Sequence, residues 1–285
     1  MSDRGRSQLD QLVDAVLASR NYKHISRDFI EALGSRELAK RSSLKEAIKA
    51  TRNKLHQVGG AYIEGEAHYK SWIGQLQQAA VNGDDDQLKR ACKSIMGYHA
   101  STRERLPILE QFYPTLLADL PPIRSVIDVA CGLHPLAIPW MPLGQDVQYY
   151  AYDIYQDMAD FLNEFMGLIH MPGYAQARDV LQYCPPFKVD LAFVLKAIPC
   201  LEQVDKNAGL RLLDTINADH LLVSFPVHSL GGRKKGMVVN YEARFHELVR
   251  HKDWSIKRFE FPTELVFRID KRDSQQSPVM HETML

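Results

Sequence analysis

Residues 126–140 read VIDVACGLHPLAIPW, and this stretch decides the fold class. Its apolar start is typical of a buried strand, Asp128 lies near the end of that strand, and small residues follow at 130–132. A dinucleotide-binding turn carries three glycines that bring backbone amides close to a pyrophosphate. This turn has only Gly132. The stretch therefore predicts the first strand and turn of an α/β sheet whose ligand lacks a pyrophosphate.

The second half of the chain alternates between apolar runs and helical segments. Such alternation predicts a mostly parallel sheet with helices on both faces. We therefore expect an α/β, Rossmann-like domain over residues 106–285. The runs that we expect to form its strands are RSVIDVA, VQYYAYD, VDLAFVL, HLLVSFP and TELVFRID.

The first half, residues 1–105, is predicted to be an all-helical domain. Leu9, Leu12, Val13, Val16 and Leu17 recur at the spacing of an amphipathic helix. Residues 1–105 hold 18 lysines and arginines against 13 acids, whereas the remainder is acidic by the same margin, so that the whole chain is neutral. A basic half joined to an acidic half favours a polyanionic partner.

A row of basic side chains lies within the predicted helix RSSLKEAIKATRNKLHQ. Spacings of three and four residues place them on one helical face, where they repel one another unless phosphates neutralise them. We therefore predict RNA contact here, although a solvated basic face is an open alternative. The row consists of Arg41, Lys45, Lys49, Arg52 and His56.

Composition excludes several other classes of protein. The four cysteines form no CxxC pair, which argues against a zinc site or a disulfide framework and favours a reducing compartment. We see neither an apolar signal segment nor a run long enough to cross a bilayer. We expect a soluble cytoplasmic protein without a metal site.

Acids at the ends of successive strands indicate the ligand. Asp128 belongs to the first strand, Asp153 ends the second, and Asp179 follows a short third strand. Ligands of open α/β sheets lie beyond the carboxyl ends of the strands, where one carboxylate can accept both hydroxyls of a ribose. S-adenosylmethionine, with its adenine, ribose and cationic sulfonium, fits these acids. The alternative is that they act as structural caps and turn residues.

Four blocks of the chain together resemble the Arm/Rmt family of aminoglycoside-resistance methyltransferases: RNKLHQVGGAY, HASTRERL, DVACGLHPLA and SFPVHSLGGRKKGMVVNYEARF. They occur in family order between Ala15 and Ile269. The resemblance implies transfer of a methyl group from S-adenosylmethionine to N7 of guanosine 1405 of 16S rRNA in the 30S subunit, with resistance to gentamicin and kanamycin. We expect the protein to act as a monomer.

The resemblance assigns a set of cofactor-binding residues. The block at residues 99–105 would line the pocket, with Arg105 facing the methionine carboxylate. Asp153 would hold the ribose, Leu195 the floor, and Tyr62 would close the pocket from the helical domain. The full expected set is Tyr62, His99, Ala100, Ser101, Arg105, Asp128, Ala130, Asp153, Asp179, Val180, Leu195 and Gln203; Thr102 and Glu104 belong to the same block.

The resemblance also implies where the RNA binds. Candidates beside the target base are Lys196, Ser224, Phe225 and Pro226, with Phe225 as a possible stacking surface. Arg233, Lys234, Lys235 and Met237 would form a loop on the RNA. Two positions depart from the family: His134 stands where relatives commonly have Asn, and His228 stands where several have Arg or Lys.

The target atom determines the chemistry that the protein must supply. Guanine N7 carries a lone pair and no proton, so methyl transfer needs no general base, and we expect no catalytic acid or base. Because N7 of a stacked base is out of line with a buried cofactor, we predict that the base is flipped out. The alternatives are a small-molecule methyltransferase and a non-catalytic RNA-binding module.

Overall fold

Helices make up most of the first half of the molecule. The computed structural model describes residues 7–60, 67–81, 83–227 and 236–271. The helices before the sheet are α1 (Gln8–Leu17), α2 (Arg27–Leu38), α3 (Leu44–Leu55), α4 (Tyr69–Val81), α5 (Asp85–Met96), α6 (Ala100–Arg105) and α7 (Leu109–Leu117). A π-helical turn, His56–Gly60, extends α3.

The second half contains a seven-stranded sheet in the order β3-β2-β1-β4-β5-β7-β6. Strands β1 to β5 are parallel, and β7 runs antiparallel to both β5 and β6. The strands are β1 (Ser125–Val129), β2 (Gln148–Asp153), β3 (Gly173–Ala177), β4 (Val189–Leu195), β5 (Ala218–Pro226), β6 (Ser255–Glu260) and β7 (Glu264–Asp270). The helices among them are α8 (Gln156–Leu168), α9 (Ile198–Leu201), α10 (Ala208–Thr215) and α11 (Met237–Val249). The predicted mostly parallel α/β sheet is confirmed.

Helices α1 to α3 have a core of their own. Ser7 caps α1 by accepting the Asp10 N–H and donating to the Asp10 carboxylate, and Ser43 caps α3 by accepting the Glu46 N–H. The apolar face of α1 packs on α2 and α3, and Leu12, Val16, Ile30, Leu33 and Leu55 are almost completely buried. The predicted amphipathic first helix is confirmed.

Helices α4 to α7, in contrast, pack on the sheet. Trp72, Ile95 and Phe112 belong to the same buried cluster as Val126 and Tyr149 of the first two strands. The opposite face of the sheet is covered by α10 and α11. The division at Arg105 stays a prediction, and this packing favours a boundary between α3 and α4. Within the described residues, no helix combines the length and apolar character that a bilayer crossing requires.

A short backbone ladder fastens helices α1 to α3 to the sheet. Ile25 pairs with Tyr155 in an antiparallel bridge. On either side, the Ser26 N–H donates to the Ile154 carbonyl at 2.7 Å and the Gln156 N–H donates to the His24 carbonyl at 2.7 Å. The small helical unit therefore lies directly over the carboxyl end of β2.

Candidate functional site

A cleft opens between helices α1 to α3 and the carboxyl ends of β1 to β4. Phe29, Val58 and Gly59 line it from the helical side, and residues at the strand ends line it from below. The cleft therefore lies where open α/β sheets bind their ligands.

Asp153 ends β2 and faces this cleft. One carboxylate oxygen accepts the Gly132 N–H at 2.8 Å and the other accepts the Ile154 N–H at 2.7 Å. Burial raises the pKa of Asp153 to about 6, although the two backbone donors act in the opposite direction. The carboxylate is thus oriented by the backbone, while each oxygen keeps lone pairs that can accept further hydrogen bonds.

Asp179 and Val180 follow β3 and also line the cleft. The Asp179 carboxylate accepts the Leu181 N–H at 2.9 Å and the Gln182 side-chain amide at 2.8 Å. Val180 and Leu195 add apolar surface. An acid beside apolar surface suits a flat, polar-edged ring such as adenine.

Backbone strain marks the rim of the cleft at two strand ends. Ala130, after β1, has φ +51°, and Lys196, after β4, has φ +57°. Gly132 also has a positive φ, and a Cβ on it would come within 2.7 Å of the His99 ring. Non-glycine residues with such conformations are costly and concentrate at functional sites. Ala130 and Lys196 both line the cleft.

His99 and Ser101 line the cleft from the start of α6. Burial lowers the pKa of His99 to about 4, and the nearby Lys196 and Arg105 act in the same direction, so the imidazole is neutral at physiological pH. Ala100 is buried beside them but is not part of the lining. The Thr102 hydroxyl donates to the Met96 carbonyl at 2.6 Å and so supports the turn before α6.

Arg105 lies behind the cleft and does not line it. Its side chain is completely buried, and Nε and Nη2 donate to the Glu264 carboxylate at 3.0 and 2.6 Å. We expected this edge of the guanidinium, Nε and Nη2, to bind the carboxylate of the ligand, but it binds Glu264 instead. Of the three guanidinium nitrogens of Arg105, Nη1 has no hydrogen-bond partner among the described residues, so any ligand contact of Arg105 falls to that atom.

Asp128 also lies behind the cleft, contrary to the expectation that three acids share it. Its Oδ2 accepts the Tyr149 hydroxyl at 2.9 Å and lies 2.7 Å from His134 Nδ1. The sheet register explains the difference, because Asp128 pairs with Ala151, two residues short of Asp153. The structure therefore brings together two of the three predicted acids, Asp153 and Asp179.

Two further residues, Gln203 and Tyr62, are predicted to bind the cofactor. Gln203 is exposed on the turn after α9 and does not line the cleft. Tyr62 lies outside the described residues.

Among the candidates for the target base, Lys196 alone lines the cleft. Its ammonium lies 2.7 Å from Glu104 and 3.4 Å from Glu264. Ser224 is completely buried and donates to Glu264 at 2.5 Å. Pro226, the last residue of β5, is half-buried.

Phe225 is unsuited to the stacking role that we predicted for it. Its ring is fully buried in the core and stacks on Tyr241 with ring centres 5.2 Å apart. Neither face of the ring is available to a base.

The basic row of α3 is divided in the structure. Lys45 and Lys49 are exposed. Arg41 pairs with Glu37 at 3.2 Å, so an acid from the neighbouring helix interrupts the predicted unneutralised row. Arg52 is half-buried and donates to the Ala15 carbonyl at 2.6 Å, which makes it a link between α3 and α1.

The other predicted RNA contacts lie mostly beyond the described residues. Arg233, Lys234, Lys235 and His228 fall there, whereas Met237 opens α11.

Sequence reasoning missed several residues that line the cleft. Tyr155 and Met158 follow β2 within five residues of Asp153, and Arg178 follows β3 directly before Asp179. Phe29 and Gly59 come from the helical unit, and no strand pattern points to them. The glycine pair at residues 59–60 is a sequence signal for a close approach of the backbone to another residue. The structure shows that approach, because a Cβ on Gly59 would lie 2.4 Å from the Tyr155 hydroxyl.

Comparisons with known proteins agree with this geometry. The family model described as Ribosomal RNA methyltransferase (FmrO) matches residues 18–268. A 16S rRNA (guanine(1405)-N(7))-methyltransferase of Micromonospora rosea is 33% identical over 269 residues, which cover 94% of this chain and 98% of that protein. A protein of the same name from Frankia casuarinae is 34% identical over 262 residues, which cover 91% of this chain and 92% of that protein.

Two solved structures share the fold over almost their whole length. The 16S rRNA methyltransferase RmtF in complex with S-adenosyl-L-homocysteine superposes with a TM-score of 0.77 and 26% identity, covering 95% of this chain and 99% of that one. The 16S rRNA methylase RmtB superposes with a TM-score of 0.74 and 27% identity, covering 92% and 98%.

Proposed function

The chain belongs to the FmrO family of ribosomal RNA methyltransferases, and we propose that it transfers a methyl group from S-adenosylmethionine to N7 of guanosine 1405 of 16S rRNA. The observation that carries the proposal is the cleft over β1 to β4, with Asp153 and Asp179 at its strand ends. Relatives of the same named activity match the chain over nearly its full length. We place the enzyme in the cytoplasm, acting as a monomer on the assembled 30S subunit.

The residues of the cleft fit S-adenosylmethionine in their chemistry. Asp153 has both oxygens oriented by backbone donors and would take the two ribose hydroxyls. Asp179 would accept from the adenine amino group, and Val180 and Leu195 would pack on the ring. When bound, the cofactor supplies a methyl group on a positively charged sulfonium.

Two basic residues of the cleft, His99 and Lys196, add little net positive charge beside a cationic methyl donor. His99 adds no positive charge, because its pKa is lowered to about 4. The charge of Lys196 is offset by Glu104 and Glu264. Since guanine N7 has no proton to lose, the protein needs no base, and its part is to orient the two reactants and exclude water.

The exposed cations of α3 would bind the RNA. Lys45 and Lys49 are exposed cations on the helical unit that covers the cleft. Flipping a base from a helix costs a few kcal/mol, and phosphate contacts of this kind would offset that cost.

Methylation of purified 30S subunits tests the proposal. With S-adenosylmethionine present, the enzyme should methylate N7 of guanosine 1405, which primer extension detects as strand cleavage there after borohydride reduction and aniline treatment, and cells that express it should grow on gentamicin and kanamycin. Unmodified 16S rRNA and susceptible cells would contradict the proposal.

Separate variants test the two halves of the site. Asp153→Ala should abolish cofactor binding and methylation but retain 30S binding. The double variant Lys45→Glu/Lys49→Glu should retain cofactor binding but weaken 30S binding by about tenfold or more at low salt. Arg124→Glu changes an exposed cation just before β1, at the edge of the sheet opposite the cleft, and is the control for charge reversal.

A further inference from the structure

The turn after β1 is closed by a pair of buried side chains. Asp128, within the strand, lies 2.7 Å from His134 Nδ1, and both residues are at most 2% exposed. The backbone closes the same segment, because the His134 N–H donates to the Cys131 carbonyl at 2.9 Å. The residues between the pair, 129–133, form a loop with fixed ends.

The His134 ring is held at both of its nitrogens. Nε2 lies 2.8 Å from the hydroxyl of Tyr113, which comes from α7, and the ring edge packs on Phe193 at 4.9 Å between centres. Because a carboxylate only accepts hydrogen bonds, Nδ1 carries the proton that faces Asp128. The same Asp128 oxygen also accepts the Tyr149 hydroxyl. The hydrogen bonds of this cluster thus all converge on Asp128.

The closed loop presents one donor to the cleft. The Gly132 N–H, at φ +52°, donates to Asp153 Oδ2 at 2.8 Å. Gly132 has little room to move, because a Cβ on it would lie 2.7 Å from the His99 ring. The direction of this N–H therefore depends on the conformation of the loop that Asp128 and His134 close.

We propose that His134 is a positioning residue for the cofactor site: together with Asp128 it closes the segment 128–134 and thereby holds the Gly132 N–H on the Asp153 carboxylate. The inference rests on the proposed role of Asp153 as the ribose acid. It gives His134, one of the positions that depart from the family resemblance, a role in this chain.

The ionisation of Asp153 reports on this arrangement. Burial raises the pKa of Asp153 to about 6, the Gly132 and Ile154 N–H groups lower it, and the charge of Asp128 raises it. Burial raises the pKa of three neighbouring groups, and the charge of Asp153 raises it further. These groups are the Tyr155 and Tyr69 hydroxyls and the Cys131 thiol. Loss of the Gly132 bond removes a group that favours the ionised form, and so it raises the pKa further.

The experiment compares two polar replacements of His134 in the full chain. His134→Asn places an amide N–H near the position of Nδ1, so it can still donate to Asp128. His134→Gln places its amide near the position of Nε2 and loses Asp128. Affinity for S-adenosylhomocysteine is measured by calorimetry from pH 5 to 8.

We expect the wild type to lose affinity as the pH falls through about 6. The Gln variant should lose affinity at a higher pH and bind about tenfold more weakly at pH 7, because one hydrogen bond to a charged group is weakened. The Asn variant should keep the wild-type midpoint. Equal midpoints in all three proteins, or an equal shift in both variants, would overturn the proposal, since a purely structural histidine changes thermal stability without moving the midpoint.

A second variant covers the case in which the Gln variant does not fold. Asp128→Asn keeps a carbonyl oxygen that accepts from His134 but removes the charge that raises the pKa of Asp153, so its midpoint should move to lower pH. A shift to higher pH would contradict the proposal. If instead Asp153→Asn binds S-adenosylhomocysteine like the wild type, the ribose assignment fails, and that outcome is distinct from any result at position 134.

Discussion

The ends of β1 and β2 carry acids in the same sequence pattern, yet the two carboxylates lie in different places and accept hydrogen bonds from different groups. Asp153 faces the cleft and, within the described part of the chain, accepts from backbone N–H groups alone, whereas Asp128 lies behind the cleft and accepts from His134 and Tyr149. Since Asp128 is level with Ala151, it lies two residues deeper in the sheet, or about 6–7 Å at the usual strand rise. The distance of each acid from the carboxyl end of the sheet, rather than its residue type, therefore decides whether it can contact a ligand or supports the turn.

The largest expected effect concerns stability. Asp128→Ala would leave the donors of His134 and Tyr149 buried without an acceptor, so we expect the free energy of unfolding to fall by about 2–4 kcal/mol. Asp153→Ala should cause no such loss at pH 7, because burial opposes its ionised form. Urea unfolding of both variants checks the contrast, and a larger loss for Asp153→Ala would reverse it.

The pH dependence of stability gives the next effect. The pKa of Asp153 is raised from 3.8 to about 6 in the folded state, so between these values the folded protein holds a proton that the unfolded chain has released. This contribution is therefore present at low pH and is lost as the pH rises through about 6, with a cost of about 1–3 kcal/mol. Asp153→Asn should lack this loss. Parallel stability curves for the variant and the wild type between pH 4 and 7 would be inconsistent with the raised pKa.

The smallest expected effect comes from the turn that joins the two acids. Gly132→Ala adds a Cβ that meets the His99 ring and strains a positive φ, so the Gly132 N–H should move off Asp153. We expect affinity for S-adenosylhomocysteine to fall about tenfold, which corresponds to about 1.4 kcal/mol. Gly144→Ala is the matched control, because a Cβ there has no neighbour within 4 Å among the described residues. Equal affinities for the two alanine variants would remove Gly132 from the site.

The sequence predicted the central strands and missed an edge strand, for a physical reason. Strands β1, β4 and β5 are buried on both faces and read as continuous apolar runs. Strand β6 lies at the edge, and four of its six residues, in SIKRFE, are exposed, so it carries no such run. An apolar run in the sequence therefore indicates that a strand is buried, and an exposed strand has no such run.

The sequence predicted part of the site. The errors come from the alignment of neighbouring strands and from side-chain contacts between residues that are distant in the sequence. Asp153 and Asp179 follow from strand ends alone, but whether Asp128 reaches the cleft depends on how β1 aligns with β2. The partner of Arg105, Glu264, lies 159 positions away in the sequence. Phe225 could have been placed from alternation, because Leu221, Val223 and Phe225 all point into the same core. Contacts from the helical unit, such as Phe29, depend on how two parts of the chain dock.

One pair of isosteric variants tests the central claim most directly: Asp153→Asn and Asp128→Asn, titrated with S-adenosylhomocysteine at pH 7.5 by calorimetry. The account predicts that Asp153→Asn loses about 30-fold or more in affinity, because charge-assisted hydrogen bonds to the ribose are replaced by neutral ones. Asp128→Asn should stay within about threefold of the wild type, because its amide oxygen still accepts from His134. Near-normal binding by Asp153→Asn together with a large loss in Asp128→Asn would contradict the account.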